Sequence, residues 1–239
     1  MVGLGQRHKK VNPGFFPKGN RMSRAFSEPP LRGTMRNRKS VLPDWDALYR
    51  MGTPPWEAPG PAKELIRILD EGLLKPCRVL EIGCGTGADA VLLAKRGFEV
   101  TAVDNCPIAL ERARNRAHRA GALIRFVLED IYSFGRHCEP YELVYDNGFY
   151  HYARMVELDK FLDLLWRITQ PGSYYLTLAG ATDPSIQDGF PQVAEQTIRF
   201  ELGRLFQCVQ IRPCRLHTIF RPEGYPAWAC LMQRPMILR

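Results

Sequence analysis

Val79-Leu80-Glu81-Ile82-Gly83-Cys84-Gly85-Thr86-Gly87 passes from a short apolar run into a glycine-rich turn, and a helical pattern follows as far as about Arg96. Residues without a Cβ are needed there if a ligand is to press against the backbone N–H groups that open a helix. The next apolar run, 98–103, ends at Asp104, 21 residues after Gly83. A carboxylate at that strand tip can accept both hydroxyls of a ribose. Gly83, Gly85 and Ala88 also meet the relaxed dinucleotide spacing, so a nicotinamide enzyme stands open at this point beside other nucleoside-binding enzymes.

Outward from this stretch, helical and strand patterns alternate from about residue 61, as in a βαβ domain with a parallel sheet. Pro61 can start a helix whose apolar side is Leu65, Ile66, Ile68, Leu69 and Leu73, before Gly72 and Pro76 break it. Pro107 opens another helix, which Gly121 closes. Strands are expected at 124–128, followed by Glu129-Asp130, and at 142–145, ending at Asp146. An amphipathic helix over 154–169 turns Leu158, Phe161, Leu162 and Leu165 inward, and Pro171-Gly172 leads into a strand over 174–178. Residues 192–206 read as a helix. Residues 207–234 read as two strands joined by a turn containing Pro and Gly.

The chain has 239 residues, 45% of them hydrophobic, which suits one domain of ordinary size rather than two large ones. No run approaches the roughly 18 uncharged apolar residues of a membrane-spanning helix. The net charge of +8 is uneven: residues 1–40 carry ten Lys/Arg against Glu28 alone, so residues 41–239 sum to −1. The basicity belongs to a tail read as disordered, and the body, 41–239 with a cap segment at 41–75, has no overall attraction for nucleic acid. Arg112, Arg114, Arg116, His118 and Arg119 read as a solvated helix face. The seven scattered cysteines form no Cys-x-x-Cys pair, which points to a reducing, cytoplasmic setting rather than a disulfide framework or zinc site. Organelle targeting by the Arg-rich tail is the alternative.

Two carboxylates separate the nucleoside-binding readings. Glu81, just before the first glycine, is awkward beside a pyrophosphate but suits a positively charged amino-acid moiety. Asp130 suits an adenine amino group. The string 79–87, with Asp104, Asp130 and Pro171-Gly172, resembles the class I S-adenosylmethionine-dependent methyltransferases over roughly residues 45–234. Trp45-Asp46-Ala47-Leu48-Tyr49, Pro54-Pro55-Trp56-Glu57, the stretch 141–151, Gly189-Phe190-Pro191 and Pro226-Ala227-Trp228 are similar to its small-molecule group, the tellurite-resistance, thiopurine and thiol methyltransferases. The resemblance implies an α/β fold: a Rossmann-like seven-stranded sheet of order 3-2-1-4-5-7-6, its last strand antiparallel, with helices on both faces. It implies S-adenosyl-L-methionine as cofactor and a donor site made by Trp56, Glu81, Gly83, Cys84, Gly85, Gly87, Asp104, Asn105, Asp130, Ile131 and Asp146.

Displacement at a sulfonium needs alignment and a dry pocket rather than a metal or a covalent nucleophile. A thiol, with an ordinary pKa near 8.5, gives enough thiolate at neutral pH, so a small soft nucleophile is the expected acceptor. Asp146 and His151 are the expected catalytic residues, His151 as base or substrate contact. Trp56, Phe149 and Tyr150 could wall the sulfonium. Trp45 and Trp228 are expected to pack the cap. The alternatives are an RNA or protein methyltransferase anchored by its basic tail, and a non-catalytic nucleotide-binding protein of the same fold.

Overall fold

The computed structural model describes residues 43–236. The basic tail, 1–40, lies outside them. In chain order the elements are α1 (Trp45–Arg50), α2 (Lys63–Asp70), β1 (Arg78–Ile82), α3 (Ala88–Lys95), β2 (Glu99–Asp104), α4 (Pro107–Ala120), β3 (Ile124–Leu128), α5 (Ile131–Phe134), β4 (Tyr141–Asn147), α6 (Tyr150–Ile168), β5 (Thr169–Gly180), α7 (Glu195–Leu202), β6 (Gln207–Thr218) and β7 (Arg221–Gln233). The strands form one sheet of order β3-β2-β1-β4-β5-β7-β6. Strands β1 to β5 run parallel, and β7 is antiparallel to both neighbours. The expected architecture is the one observed.

The central strands are apolar on both sides because both sheet faces are covered. Leu80, Ile82, Val144 and Tyr175 pack with Phe161, Leu165, Ile198 and Leu202 of α6 and α7. Val79, Val100, Leu143 and Leu176 pack on the other face with Leu65, Ile68, Leu93 and Leu110 of α2, α3 and α4. Each such side chain contributes roughly 1.5–3 kcal/mol on burial, so the strand tips that carry the site rest on a stiff base.

Local departures from the sequence reading have local causes. Helix α2 ends at Asp70 and the backbone reverses at Gly72, which leaves Leu73 38% exposed rather than on the apolar side. Helix α7 is shorter than 192–206, because Val193 bridges to Ala181 and donates its N–H to the Gly180 carbonyl at 2.8 Å. The β6–β7 turn is Ile219-Phe220, closed by the Thr218–Arg221 pair, while Pro222 and Gly224 lie inside β7. Helix α6 begins at Tyr150 and is broken by the extended backbone of Glu157 (φ −161°, ψ 86°). Among the described residues no helix is long and apolar enough to cross a membrane.

Candidate active site

The turn after β1 is tied to β2 through Gly83 N–H and Cys84 N–H, which both donate to the Val103 carbonyl at 2.9 and 3.2 Å. Asp104 closes the turn: Oδ2 accepts from Gly85 N–H at 2.8 Å and Oδ1 from Cys106 N–H at 2.9 Å. Gly85 has φ +52°, and a Cβ there would lie 2.9 Å from the Tyr49 hydroxyl. Gly87 has φ +76° and would push a Cβ to within 2.9 Å of the Ala113 side chain. The glycines at these positions are therefore required twice over, by backbone conformation and by the closeness of their neighbours. The Cys84 thiol is buried and held well above its ordinary pKa by burial, then by Glu81 and Asp104. It is a packing group rather than a nucleophile.

Glu81 lies at the centre of this arrangement, only 3% exposed, and its Oε2 is buried without a hydrogen-bond partner among the described residues. Burial raises its pKa well above the ordinary carboxylate value, and Asp89, Asp104 and Asp146 add repulsion. An orphaned carboxylate oxygen beside further carboxylates suits a cation that donates hydrogen bonds, as the ammonium of S-adenosylmethionine does. A pyrophosphate would meet the same negative field, which removes the nicotinamide reading. Asp89 is itself satisfied, accepting from Ala62 N–H at 2.7 Å, the Tyr145 hydroxyl at 2.8 Å and the Asn147 amide at 3.0 Å.

Asp130 is exposed at the start of α5, where its Oδ1 accepts from Tyr132 and Ser133 N–H at 3.0 and 3.2 Å. Ile131 beside it is buried, and Asn105 is exposed next to Asp104. The structure thus brings Glu81, Gly83, Gly85, Asp104 and Asp146 to adjoining strand ends, with Asp130 at the end of the neighbouring β3.

The cap folds over this edge. Asp44 starts α1 by accepting from Ala47 N–H at 3.0 Å. Trp56 donates from Nε1 to the Tyr49 hydroxyl at 3.2 Å, and its ring meets Trp45 edge-on at 5.0 Å. Arg112 and Arg116, expected on a solvated face, instead tether the cap. Arg112 donates to the Gly52 and Tyr49 carbonyls at 2.8 and 3.0 Å, and Arg116 reaches Glu57 at 3.2 Å and Thr86 at 3.0 Å. The side of α4 that carries them faces the cap rather than solvent.

Asp146 is fully buried. Its Oδ1 accepts from Phe149 N–H (2.8 Å), Tyr150 N–H (3.0 Å) and the Thr177 hydroxyl (3.1 Å), and its Oδ2 from the Tyr175 hydroxyl at 2.6 Å. Burial raises its pKa to about 6, against the pull of these donors. It caps α6 and ties that helix to β5. His151 is 2% exposed, and its Nδ1 accepts from Gly180 N–H at 3.0 Å. Burial, then Arg154, lowers its pKa to about 3. Its ring is therefore neutral with the proton on Nε2, a hydrogen-bond donor with no free lone pair for a base.

The aromatic walls differ from expectation in one instructive way. Tyr150 faces the core, where its hydroxyl donates to Glu201 at 2.6 Å. Tyr152 takes the cap side, 4.9 Å from Trp45 and 4.8 Å from the His151 ring, both edge-on. The row continues through Phe190, 5.5 Å from His151, to Tyr225, stacked on Phe190 at 3.9 Å. Phe149 is half-buried against Gly83. Trp228 packs with the α7 core and donates from Nε1 to the Val193 carbonyl at 3.2 Å, so it does not belong to the cap.

Residues 79–172 match the family model of a methyltransferase domain. The 2-heptyl-1-hydroxyquinolin-4(1H)-one methyltransferase of Mycobacteroides abscessus is 27% identical over 169 residues, 69% of this chain and 74% of its own. A probable thiol methyltransferase 2 of Arabidopsis thaliana is 24% identical over 136 residues, 56% of this chain and 60% of its own. The fold is shared with the protein solved in work on conversion of a disulfide bond into a thioacetal group during echinomycin biosynthesis (TM-score 0.69, 24% identity, 81% of this chain and 92% of that one). The sheet order, the acidic strand tips and this domain match together support a class I S-adenosylmethionine-dependent small-molecule methyltransferase.

Proposed function

We propose that the protein methylates a soft nucleophile, a thiol or related chalcogen, on a small acceptor held among the aromatic side chains beneath the cap. One observation carries this reading: the two side chains expected to act on the acceptor are already engaged. His151 spends its lone pair on Gly180, and Asp146 accepts four hydrogen bonds. A thiol ionises sufficiently near neutral pH without help, whereas an alcohol calls for a positioned base.

In this reading Glu81 receives the donor's ammonium, Asp104 the ribose hydroxyls, and Asp130 with Ile131 the adenine. Gly83, Cys84, Gly85 and Gly87 form the backbone cradle, with Asn105 beside the ribose and Trp56 above. Bound S-adenosylmethionine supplies a methyl carbon activated by a positively charged sulfur. The chain's own contribution is alignment and exclusion of water: Trp45, Trp56 and Tyr152 make an apolar rim whose ring faces favour positive charge. Asp146 is a positioning residue that fixes the start of α6, and with it His151 and Tyr152. The Nε2–H of His151 is available to orient the acceptor. The thiol in the Arabidopsis relative's name supports the soft nucleophile, and the heteroaromatic acceptor in the Mycobacteroides relative's name supports an aromatic-lined pocket.

The test is transfer of isotope-labelled methyl from S-adenosylmethionine to matched pairs of aromatic thiols and alcohols. Thiols should lead by at least about a hundredfold in kcat/KM, the advantage that a positioned base would otherwise supply to the alcohol. Preference for the alcohols, with a bell-shaped pH profile, would contradict the proposal.

A further inference from the structure

The strand ends opposite the cradle carry a second cluster of charge. Arg234 follows the last residue of β7, pairs its N–H with the Ser173 carbonyl at 2.8 Å, and is only 6% exposed. Its Nη1 donates to the Trp166 carbonyl at 2.8 Å, to the Thr169 hydroxyl at 3.2 Å and to the Thr169 carbonyl, while its guanidinium carbon stands 3.6 Å from the centre of the Trp166 ring. Its Nε is buried and has no hydrogen-bond partner among the described residues. The carbonyl contacts meet the negative end of α6, equivalent to roughly half a charge, and none of them is a carboxylate.

Arg234 lines a shallow cavity of about 420 Å³ together with Arg136 and Arg167, and among the described residues no acidic side chain lines it. Three arginines therefore line a space of ligand size, Arg136 with its Nη2 donating to the Ser133 hydroxyl at 3.0 Å. The exposed Arg136 and Arg167 reach it from the end of α5 and from the last turn of α6.

We propose that this cavity is a second ligand site, distinct from the methyl-transfer site, that binds the phosphate or carboxylate group of a small anionic molecule. Planar guanidinium forks match both groups through paired charge-assisted hydrogen bonds. The buried Arg234 supplies a fixed point, and the two exposed arginines supply adaptable contacts.

Isothermal titration of the full-length protein with inorganic phosphate, and separately with succinate, tests this, with Trp166 fluorescence as a local reporter and Trp166→Phe as its control. Saturable binding of phosphate assigns the site to phosphate esters; binding of succinate in preference assigns it to carboxylates. Arg136→Gln combined with Arg167→Gln should weaken that binding at least about tenfold, the value of one charge-assisted contact, and leave S-adenosylhomocysteine affinity unchanged. These two residues are exposed, so the variant retains the fold. Absence of saturable binding for both anions, or equal affinity in the double variant, overturns the proposal.

Discussion

Glu81→Gln separates the needs of the fold from those of the site. The substitution keeps the shape of the side chain and removes the charge that burial, Asp89, Asp104 and Asp146 all oppose. The folded pKa of Glu81 is raised above the ordinary 4.5, so the native state holds its proton more tightly than the unfolded chain does. Stability is then fully present below that ordinary value and is lost as pH rises toward the folded pKa. Each pH unit within that window costs the wild type about 1.4 kcal/mol that the Gln variant keeps. The variant should melt alongside the wild type in mild acid and above it at higher pH.

The ligand responds the other way. Losing a charge-assisted hydrogen bond to the donor's ammonium removes about 1.5–3 kcal/mol, or roughly 10- to 150-fold in affinity. Wild-type affinity for S-adenosylmethionine should also rise with pH, because binding the cation requires Glu81 to ionise, and the variant should lose that dependence. Thermal melts and isothermal titration across pH measure both effects. A variant that melts with the wild type at every pH, or binds the donor equally well, refutes the reasoning.

Gly85→Ala forces a side chain into φ +52° and to 2.9 Å from the Tyr49 hydroxyl; it should cost about 1–3 kcal/mol in denaturant unfolding and weaken donor binding. Arg112→Ala removes the two cap tethers at 2.8 and 3.0 Å; loss of about 1–3 kcal/mol and earlier proteolytic cleavage within residues 43–62 are the expected outcomes. The folded pKa of His151, lowered to about 3, means that its contribution is present above the ordinary 6.5 and lost as pH falls below it. Its ring resonances should therefore not titrate between about pH 5 and 8, the range in which an ordinary histidine does. Leu80→Ala, at a fully buried position, should cost roughly 2–5 kcal/mol in equilibrium unfolding.

The alternation of strands and helices and the acidic strand tips were legible because both follow from local pattern: apolar runs that end in Glu81, Asp104 and Asp146, and glycines where the backbone must turn; the sheet order was implied by the family resemblance. The orientation of the aromatic walls was not. Tyr150 and Tyr152 are two residues apart on one helix and so point to opposite sides. Which of them meets the cap depends on how Asp146 seats the first turn of α6, a tertiary contact absent from any window of sequence. The role of His151 was hidden for the same reason, since the Gly180 N–H that occupies its Nδ1 comes from another strand. Arg112 and Arg116 sit among other basic residues on α4, and only the packed cap distinguishes tethers from solvated charges. At the β6–β7 turn the prolines and glycine misled, because Pro222 and Gly224 lie within the edge-side hairpin rather than at its tip.

Labelled methyl transfer from S-adenosylmethionine to an aromatic thiol, followed by mass spectrometry of the product, tests the central claim most directly. The account predicts an S-methylated product with the wild type and a rate at subsaturating donor lower by roughly 10- to 150-fold with Glu81→Gln. Unlabelled thiol after prolonged incubation, with label recovered on an alcohol or amine acceptor instead, would contradict it.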